Sequence, residues 1–368
     1  MSRFFITGGG TGGHIYPAIA VAESLKGDEI YYIGNPKNLE FDIVSQKGYQ
    51  FLGINIHGMP RKICFELLKW IIQLSIAVMK CCYYIKKYKP DAVFGTGGYV
   101  SAPALMACRI LNVPYMMHDC DAQPGLVTRK LSKDAKCVSV AFECACNSIS
   151  NANCKVNGNP IRSAFKDLTK EDARKSLGLK DKLTLCIMGG SQGARSINNA
   201  AVETLKSFSK DYDLQIIFQT GKKNYERVLE QLIRIYPEYE ADANIVIRPY
   251  FEDMVSVLKA SDIAVSRSGS LSISEICASA IAPIFVPYPH AAADHQRKNA
   301  KFMVEKNAGL YIEDNEINEN TLKEAVLSLV NDRQKLAQLQ KNSYALAKLD
   351  GTEKIVEQLR EIANGKYL

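Results

Sequence analysis

At 368 residues, 47% hydrophobic and 23% charged, the chain has the composition of a globular protein of two domains rather than of a disordered or membrane-embedded one. A net charge of +7 points to an anionic partner, but no basic run is interleaved with aromatics and no zinc-finger or RNP pattern occurs, so nucleic acid is set aside. The N-terminus, MSRFFITGGG, lacks an apolar leader and cleavage site, and eleven scattered cysteines then predict reduced thiols in the cytosol. The tightest group, Cys137, Cys144, Cys146 and Cys154, lacks the paired spacings of a zinc ribbon, so no metal is expected.

Short apolar runs rich in Val, Ile, Phe and Tyr alternate with helical patterns, the signature of βαβ units with parallel strands. Strands are expected at 3–7, 29–33, 50–55, 91–95, 114–118 and 136–140. After Gly158-Asn159-Pro160 a polar stretch runs to Lys182, and the alternation restarts at 183–188, 214–219, 244–248, 262–265, 283–286 and 309–312. Beyond 318 only helices are expected. The predicted division is 1–162, 163–350, and a closing helix within 351–368 that is able to pack back on the first domain.

Each half opens with a glycine-rich turn between strand and helix: Thr7-Gly8-Gly9-Gly10-Thr11-Gly12-Gly13-His14 and Met188-Gly189-Gly190-Ser191-Gln192-Gly193-Ala194. Backbone N–H groups at such a turn, with the helix dipole behind them, favour anionic oxygen. Two of them imply an α/β protein with two Rossmann-like domains and a ligand cleft between them. The first turn satisfies GxGxxG formally, yet Gly34-Asn35 ends the second strand where a nicotinamide or flavin site needs an acid; Asp28 and Glu29 come before that strand. Neither turn carries the Lys-Ser/Thr pair of an ATP-binding loop, so no cofactor is expected.

Residues 63–85, ICFELLKWIIQLSIAVMKCCYYI, form an apolar stretch interrupted by Lys69 and Lys80. It is too broken to span a bilayer. From Pro60 to Pro90, Arg61, Lys62, Lys69, Lys80, Lys86, Lys87 and Lys89 oppose a single acid, Glu66. The segment reads as a crossover helix with one face on the sheet and the other, with Trp70, against anionic headgroups.

Further motifs complete the pattern: GGTGGH at 9–14 with the proline of IYP, GTGGYVSAP at 95–103, GNPIR at 158–162, GGSQGA at 189–194, RSGSLSISE at 267–275 and FVPYPHAAADHQRKNA at 285–300. Together, and in this order, they resemble the MurG family, peptidoglycan transferases that move N-acetylglucosamine from UDP-N-acetylglucosamine to a polyprenyl-diphosphate-linked muramyl pentapeptide. The resemblance implies a GT-B fold, two Rossmann-like domains with parallel sheets facing across a cleft, the acceptor held by the first and the donor by the second. It places Thr11, Gly12 and Gly13 at the junction of donor and acceptor, and Arg162, Ser191 and Gln296 on the UDP-sugar, with Gln192, Gly193 and Asn299 in the same motifs. Ser268, Gly269 and Ser270 would meet the diphosphate at a helix start, and Ser270, Leu271, Ser272, Ile273, Ser274 and Glu275 would line the nucleotide, Glu275 on the ribose hydroxyls. The backbone of Phe251 would meet the uracil. One motif departs: His118-Asp119-Cys120-Asp121 replaces His-Glu-Gln-Asn, so Asp121 stands where an amide usually helps hold the donor sugar. This stretch and Asp211-Tyr212-Asp213 both spell DxD, a metal motif of a different glycosyltransferase fold, and both are read as coincidence.

Inverting transfer needs a base for the acceptor hydroxyl and donors for the departing UDP. His14, directly after the first glycine turn, is the leading base, with His118 and Asp119 next. His290 and His295 belong to the donor loop. The expected setting is peripheral, on the cytoplasmic face of the plasma membrane. A UDP-N-acetylglucosamine 2-epimerase of the same architecture is the rival reading.

Overall fold

The computed structural model describes residues 1–60, 65–190 and 192–366. They divide into two compact units, Met1–Ile161 with Asp350–Leu368, and Arg162–Leu349. The first contains seven parallel strands, β1 (Arg3–Thr7), β2 (Glu29–Gly34), β3 (Gln50–Gly53), β4 (Ala92–Gly95), β5 (Tyr115–Asp119), β6 (Cys137–Val140) and β7 (Cys154–Val156), in the order β3-β2-β1-β4-β5-β6-β7. Four of its helices matter below: α1 (Gly12–Ser24), α2 (Leu39–Gln46), α3 (Phe65–Tyr88) and α4 (Gly98–Leu111).

The β1 sequence explains its central place. Phe4, Phe5 and Ile6 are all buried, and their side chains alternate between the two faces of the sheet. Phe5 joins Ala77 and Cys81 of α3 and Leu105 of α4 in one core layer, while Phe4 and Ile6 join Ile15 and Ala18 of α1 in the other. β2 opens at Glu29 as expected. One detail departs from expectation: β7 is an additional strand whose Lys155 and Val156 are exposed at the sheet edge, so it carries no apolar run.

The thiol expectation also needs correction. β7 returns beside β6 and brings Cys154 to within 5.9 Å, Cα to Cα, of Cys146, and the two form a disulfide. Cys81, Cys82, Cys108, Cys120, Cys137, Cys186 and Cys277 are free thiols.

Helix α3 uses opposite faces for opposite tasks. Ala77, Val78, Cys81 and Ile85 are buried on the unit, whereas Phe65, Leu68, Ile72, Ile76, Met79 and Tyr83 form an exposed apolar stripe at helical spacing. Trp70 is not part of that stripe: it is half-buried, and its indole N–H donates to the His57 carbonyl at 2.8 Å. Residues 61–64, at the start of the predicted segment, lie outside the described residues. Among the described residues no helix is long and apolar enough to cross a membrane.

The second unit has six parallel strands, β8 (Thr184–Met188), β9 (Gln215–Gln219), β10 (Ile245–Arg248), β11 (Ile263–Ser266), β12 (Ala282–Phe285) and β13 (Leu310–Tyr311), ordered β10-β9-β8-β11-β12-β13. Helices α5 (Arg195–Lys210), α6 (Ser270–Ala278) and α7 (His295–Glu305) start near its ligand-presenting strand ends. The last helix, α8 (Gly351–Ala363), belongs to the first unit, where Ile355, Val356, Leu359 and Ile362 complete the layer containing Phe4 and Ile6. Leu359 is inaccessible to solvent. Leu359→Ala should therefore destabilise the first unit by about 2–4 kcal/mol, a loss measurable by urea denaturation followed with a probe in that unit.

Candidate functional site

In the first unit the carboxyl ends of β1, β4 and β5 lie side by side, where parallel sheets present ligand-binding loops. The turn after β1 rests directly on the turn after β4. A Cβ at Gly8 would stand 1.9 Å from Thr96 Oγ1, and one at Gly98 would stand 2.8 Å from the Gly9 carbonyl, so only glycine permits this approach. Gly10 and Gly97 hold φ of +84° and +86°, a second reason for glycine there.

Polar contacts then draw the turn's carbonyl groups inward. Tyr32 O–H donates to the Gly8 carbonyl at 2.6 Å, and Thr96 Oγ1 donates to the His14 carbonyl at 2.6 Å. Pro17 has no N–H to give the Gly13 carbonyl one helical turn earlier, and the Cys120 thiol donates to it instead, at 3.2 Å. The first N–H groups of a helix have no acceptor within it, so the start of α1 at Gly12 and Gly13 is chemically suited to an anion.

The three predicted catalytic residues differ sharply in setting. His14 is partly exposed; its Nδ1 lies 3.1 Å from Thr11 Oγ1, and its ring covers Gly97 and Gly98, where a Cβ would stand 3.4 and 3.2 Å from it. His118 is fully buried, with Nδ1 2.9 Å from Ser139 Oγ and Nε2 3.0 Å from Asn159 Oδ1. Because an amide oxygen only accepts, Nε2 carries the proton, which leaves Nδ1 to accept from the serine. Burial lowers its pKa to about 4, and both nitrogens are committed, so His118 is a neutral structural link. Asp119 is buried too: its carboxylate accepts the Gly125 N–H at 3.0 Å and the Asp121 N–H at 3.3 Å, fixing the loop after β5, and burial raises its pKa. Asp121 is partly exposed and follows Cys120, whose thiol holds the Gly13 carbonyl; this puts it beside the glycine turn.

The second unit repeats the glycine device. A Cβ at Gly189 would lie 2.1 Å from the Ala194 nitrogen and one at Gly193 2.0 Å from the Thr220 carbonyl, with Gly193 at φ +76°. Asn224 Nδ2 donates to the Gln192 carbonyl at 3.1 Å, leaving the exposed Gln192 side chain at the mouth of the turn. Ser191 lies outside the described residues. The Phe251 N–H is taken by Gln219 Oε1 at 2.9 Å, which holds that backbone in place.

Around the start of α6, Ser268 and Asn299 are buried supports: Ser268 Oγ donates to the Gln296 carbonyl at 2.8 Å, and Asn299 Nδ2 donates to the Ser268 carbonyl at 3.2 Å. Gln296 Oε1 accepts the Tyr288 N–H at 3.0 Å. Gly269 is the N-cap of α6; in its first turn Ser270 is buried and Leu271 partly exposed. The expectation that every residue from Ser270 to Glu275 faces a nucleotide fails at Ile273, which helical periodicity turns into the core. Ser272, Ser274 and Glu275 remain partly exposed. Arg162 Nη2 reaches Glu275 Oε1 at 2.9 Å; burial raises the Glu275 pKa and the guanidinium opposes that rise. Among the described residues no three His, Cys, Asp or Glu side chains stand together as metal ligands.

Sequence reasoning missed the supporting shell. Gln219 spans from the Gly190 carbonyl to Phe251; Arg267 donates to the Val286 and Pro287 carbonyls and to Asp314 and Ser196. Arg267 opens the RSGSLSISE motif. Gln219 and Asp314 lie in no motif.

Two Rossmann-like units, each with a glycine turn between a strand and a helix start, are the frame of an enzyme class that takes anionic ligands. The glycosyltransferase family 28 N-terminal domain matches residues 4–140, and the family 28 C-terminal domain matches residues 184–359. A UDP-N-acetylglucosamine–N-acetylmuramyl-(pentapeptide) pyrophosphoryl-undecaprenol N-acetylglucosamine transferase of Desulforamulus reducens is 37% identical over 98% of both chains. A crystal structure of MurG from Acinetobacter baumannii superposes with a TM-score of 0.80 at 27% identity, covering 98% of this chain and all of that one. A UDP-GlcNAc 2-epimerase from Neisseria meningitidis shares the fold, with a TM-score of 0.67 at 13% identity over 98% of this chain and all of that one. The chain belongs to glycosyltransferase family 28, and it is a glycosyltransferase of GT-B architecture.

The buried His118 makes a pH prediction. The unfolded imidazole takes a proton near pH 6.5 and the folded one only near 4, so stability is full above 6.5 and falls as pH drops through that window. The whole effect is about 3 kcal/mol. Urea titrations from pH 7 to 4 should show a shallower loss for His118→Gln than for the wild type; parallel slopes would contradict a neutral, buried His118.

Proposed function

We propose that this enzyme transfers N-acetylglucosamine from UDP-N-acetylglucosamine, with inversion, to an undecaprenyl-diphosphate-linked N-acetylmuramyl pentapeptide in peptidoglycan synthesis. What carries the reading is full-length likeness, 37% over 98% of each chain, to a transferase named for that donor and acceptor. The epimerase reading has only a shared fold at 13% identity behind it.

In this reading the second unit takes the donor. The diphosphate lies at the starts of α5 and α6, Glu275 bonds the ribose hydroxyls, and Arg162, already paired with Glu275, supplies positive charge. The acceptor diphosphate lies at the start of α1. His14 is the base: the acceptor hydroxyl oxygen bonds to the sugar C1, the C1–O bond to UDP breaks, the proton passes to the imidazole, and helix-start N–H groups stabilise the charge left on UDP. His118 and Asp119 position the loop that carries Asp121, the residue standing where an amide would help hold the donor sugar.

The exposed stripe of α3, with Lys69, Lys80 and Lys87 stacked on Phe65, Tyr84 and Tyr83, supports a peripheral seat on the anionic cytoplasmic face of the plasma membrane. A groove of about 540 Å³ runs beside it, lined by His57, Lys69, Trp70, Ile72, Ile76 and Lys80.

Incubation with UDP-N-acetylglucosamine labelled in the sugar is the direct test. Label should enter a lipid extract only when acceptor is added; UDP-N-acetylmannosamine formed without acceptor would establish the epimerase instead. His14→Ala should lower kcat by about 100-fold or more with donor KM nearly unchanged, and wild-type turnover would remove His14 as base. Replacing Ile72 and Ile76 together by Glu should abolish sedimentation with phosphatidylglycerol vesicles while leaving UDP affinity intact; undiminished co-sedimentation would refute the membrane seat.

A further inference from the structure

Beneath the first glycine turn lies a carboxylate that the reaction does not use. Glu40, in the first turn of α2, is fully buried, and among the described residues no basic side chain pairs with it. Its Oε1 accepts the Asn35 N–H and an Asn38 Nδ2 hydrogen, both at 3.2 Å, and its Oε2 accepts the Gly10 N–H at 3.3 Å. A buried charge is costly unless its oxygens are satisfied, and here one satisfying donor comes from the glycine turn itself. The turn cannot swing away without stripping the carboxylate.

The surroundings are shaped around this contact. A Cβ at Gly9 would lie 2.6 Å from Glu40 Oε1, and one at Gly34 would lie 3.0 Å from its Cγ. On the other flank of Gly10 stands the Tyr99 ring, 2.8 Å from where a Cβ would be, and Asn38 Nδ2 donates to the Tyr99 hydroxyl at 3.1 Å. Gly10 is thus gripped from both sides, with Asn38 joining the two grips.

We propose that Glu40 is a positioning residue for transfer: by holding the Gly10 N–H from below, it commits that amide inward and sets the N–H groups of Gly12 and Gly13, and the His14 imidazole, toward the acceptor diphosphate. The inference rests on the reading of the α1 start as the acceptor site. All three donors require an acceptor, and only a carboxylate offers two oxygens that never donate. A glutamine must turn its NH₂ against one of them.

The test is Glu40→Gln, assayed with UDP-N-acetylglucosamine and a water-soluble short-chain analogue of the acceptor. Displacing reacting groups by an ångström can cost about 100-fold, so kcat/KM for the acceptor should fall about 10- to 100-fold. UDP affinity by calorimetry should stay within about twofold, because the donor groups belong to the other unit. A purely structural role would lower melting temperature and the fraction able to bind UDP, with acceptor kinetics per UDP-binding molecule unchanged, and that result would overturn the proposal. If Glu40→Gln does not fold, Asn38→Ala decides: it keeps the carboxylate and severs the link to Tyr99, and should raise acceptor KM by about 3- to 10-fold, whereas a wild-type KM would overturn the proposal. Parallel kinetics of His14→Ala separate the two ideas. Loss in His14→Ala without loss in Glu40→Gln sinks Glu40 alone; no loss in either sinks the acceptor-site reading itself.

Discussion

The first unit depends on how closely two backbone turns are allowed to meet. The turn after β1 lies directly on the turn after β4: the Thr96 side chain fills the space a Cβ of Gly8 would need, and Gly98 leaves room for the carbonyl of Gly9. With the backbones in contact, the carbonyl groups are captured by Tyr32, Thr96 and Cys120, and the amide groups at the start of α1 are left for something else to satisfy. The polarity of the ligand follows from that division. A loop whose acceptors are consumed internally presents donors, and donors at a helix start select anionic oxygen. The second unit obeys the same rule at Gly189 and Gly193, where the contacts are with backbone atoms of Ala194 and Thr220.

The same constraint separates motif residues that hold the turns from motif residues left open to solvent. His118, Asp119, Ser268 and Asn299 all occupy motif positions, yet each is buried with its polar atoms spent on neighbouring backbone or side chains. His14, Gln192, Asp121 and Glu275 retain exposed surface. From His118 a polar chain runs through Ser139 and Asn157 to Gln358, so a strand end near the glycine turn is tied to the last helix of the chain. Such a chain is rigid only while every member is satisfied.

Most strands were legible because buried parallel strands are written as short apolar runs, and the two turns were legible because glycine has few other reasons to recur so densely. β7 was not, since an edge strand of three residues, two of them exposed, leaves no hydropathic trace. The disulfide was hidden for a related reason: Cys146 and Cys154 meet only because β7 comes back along β6. A helix motif read as a string overstated the ligand-facing set, because Ile273 rotates inward within SLSISE. Glu40, Gln219 and Asp314 were invisible altogether; each bonds a residue 29 or more positions away, a relation that neither periodicity nor spacing encodes.

The path of the chain has a consequence for biosynthesis. The segment that completes the first unit, α8, is separated from the rest of it by the whole of residues 162–349. As the polypeptide leaves the ribosome, the hydrophobic surface formed by Phe4, Ile6, Ile15 and Ala18 has no cover until Ile355 and Leu359 emerge. The amino-terminal half therefore reaches its final packing last, after the intervening unit has had time to fold, and in that interval its uncovered side is what a chaperone would recognise.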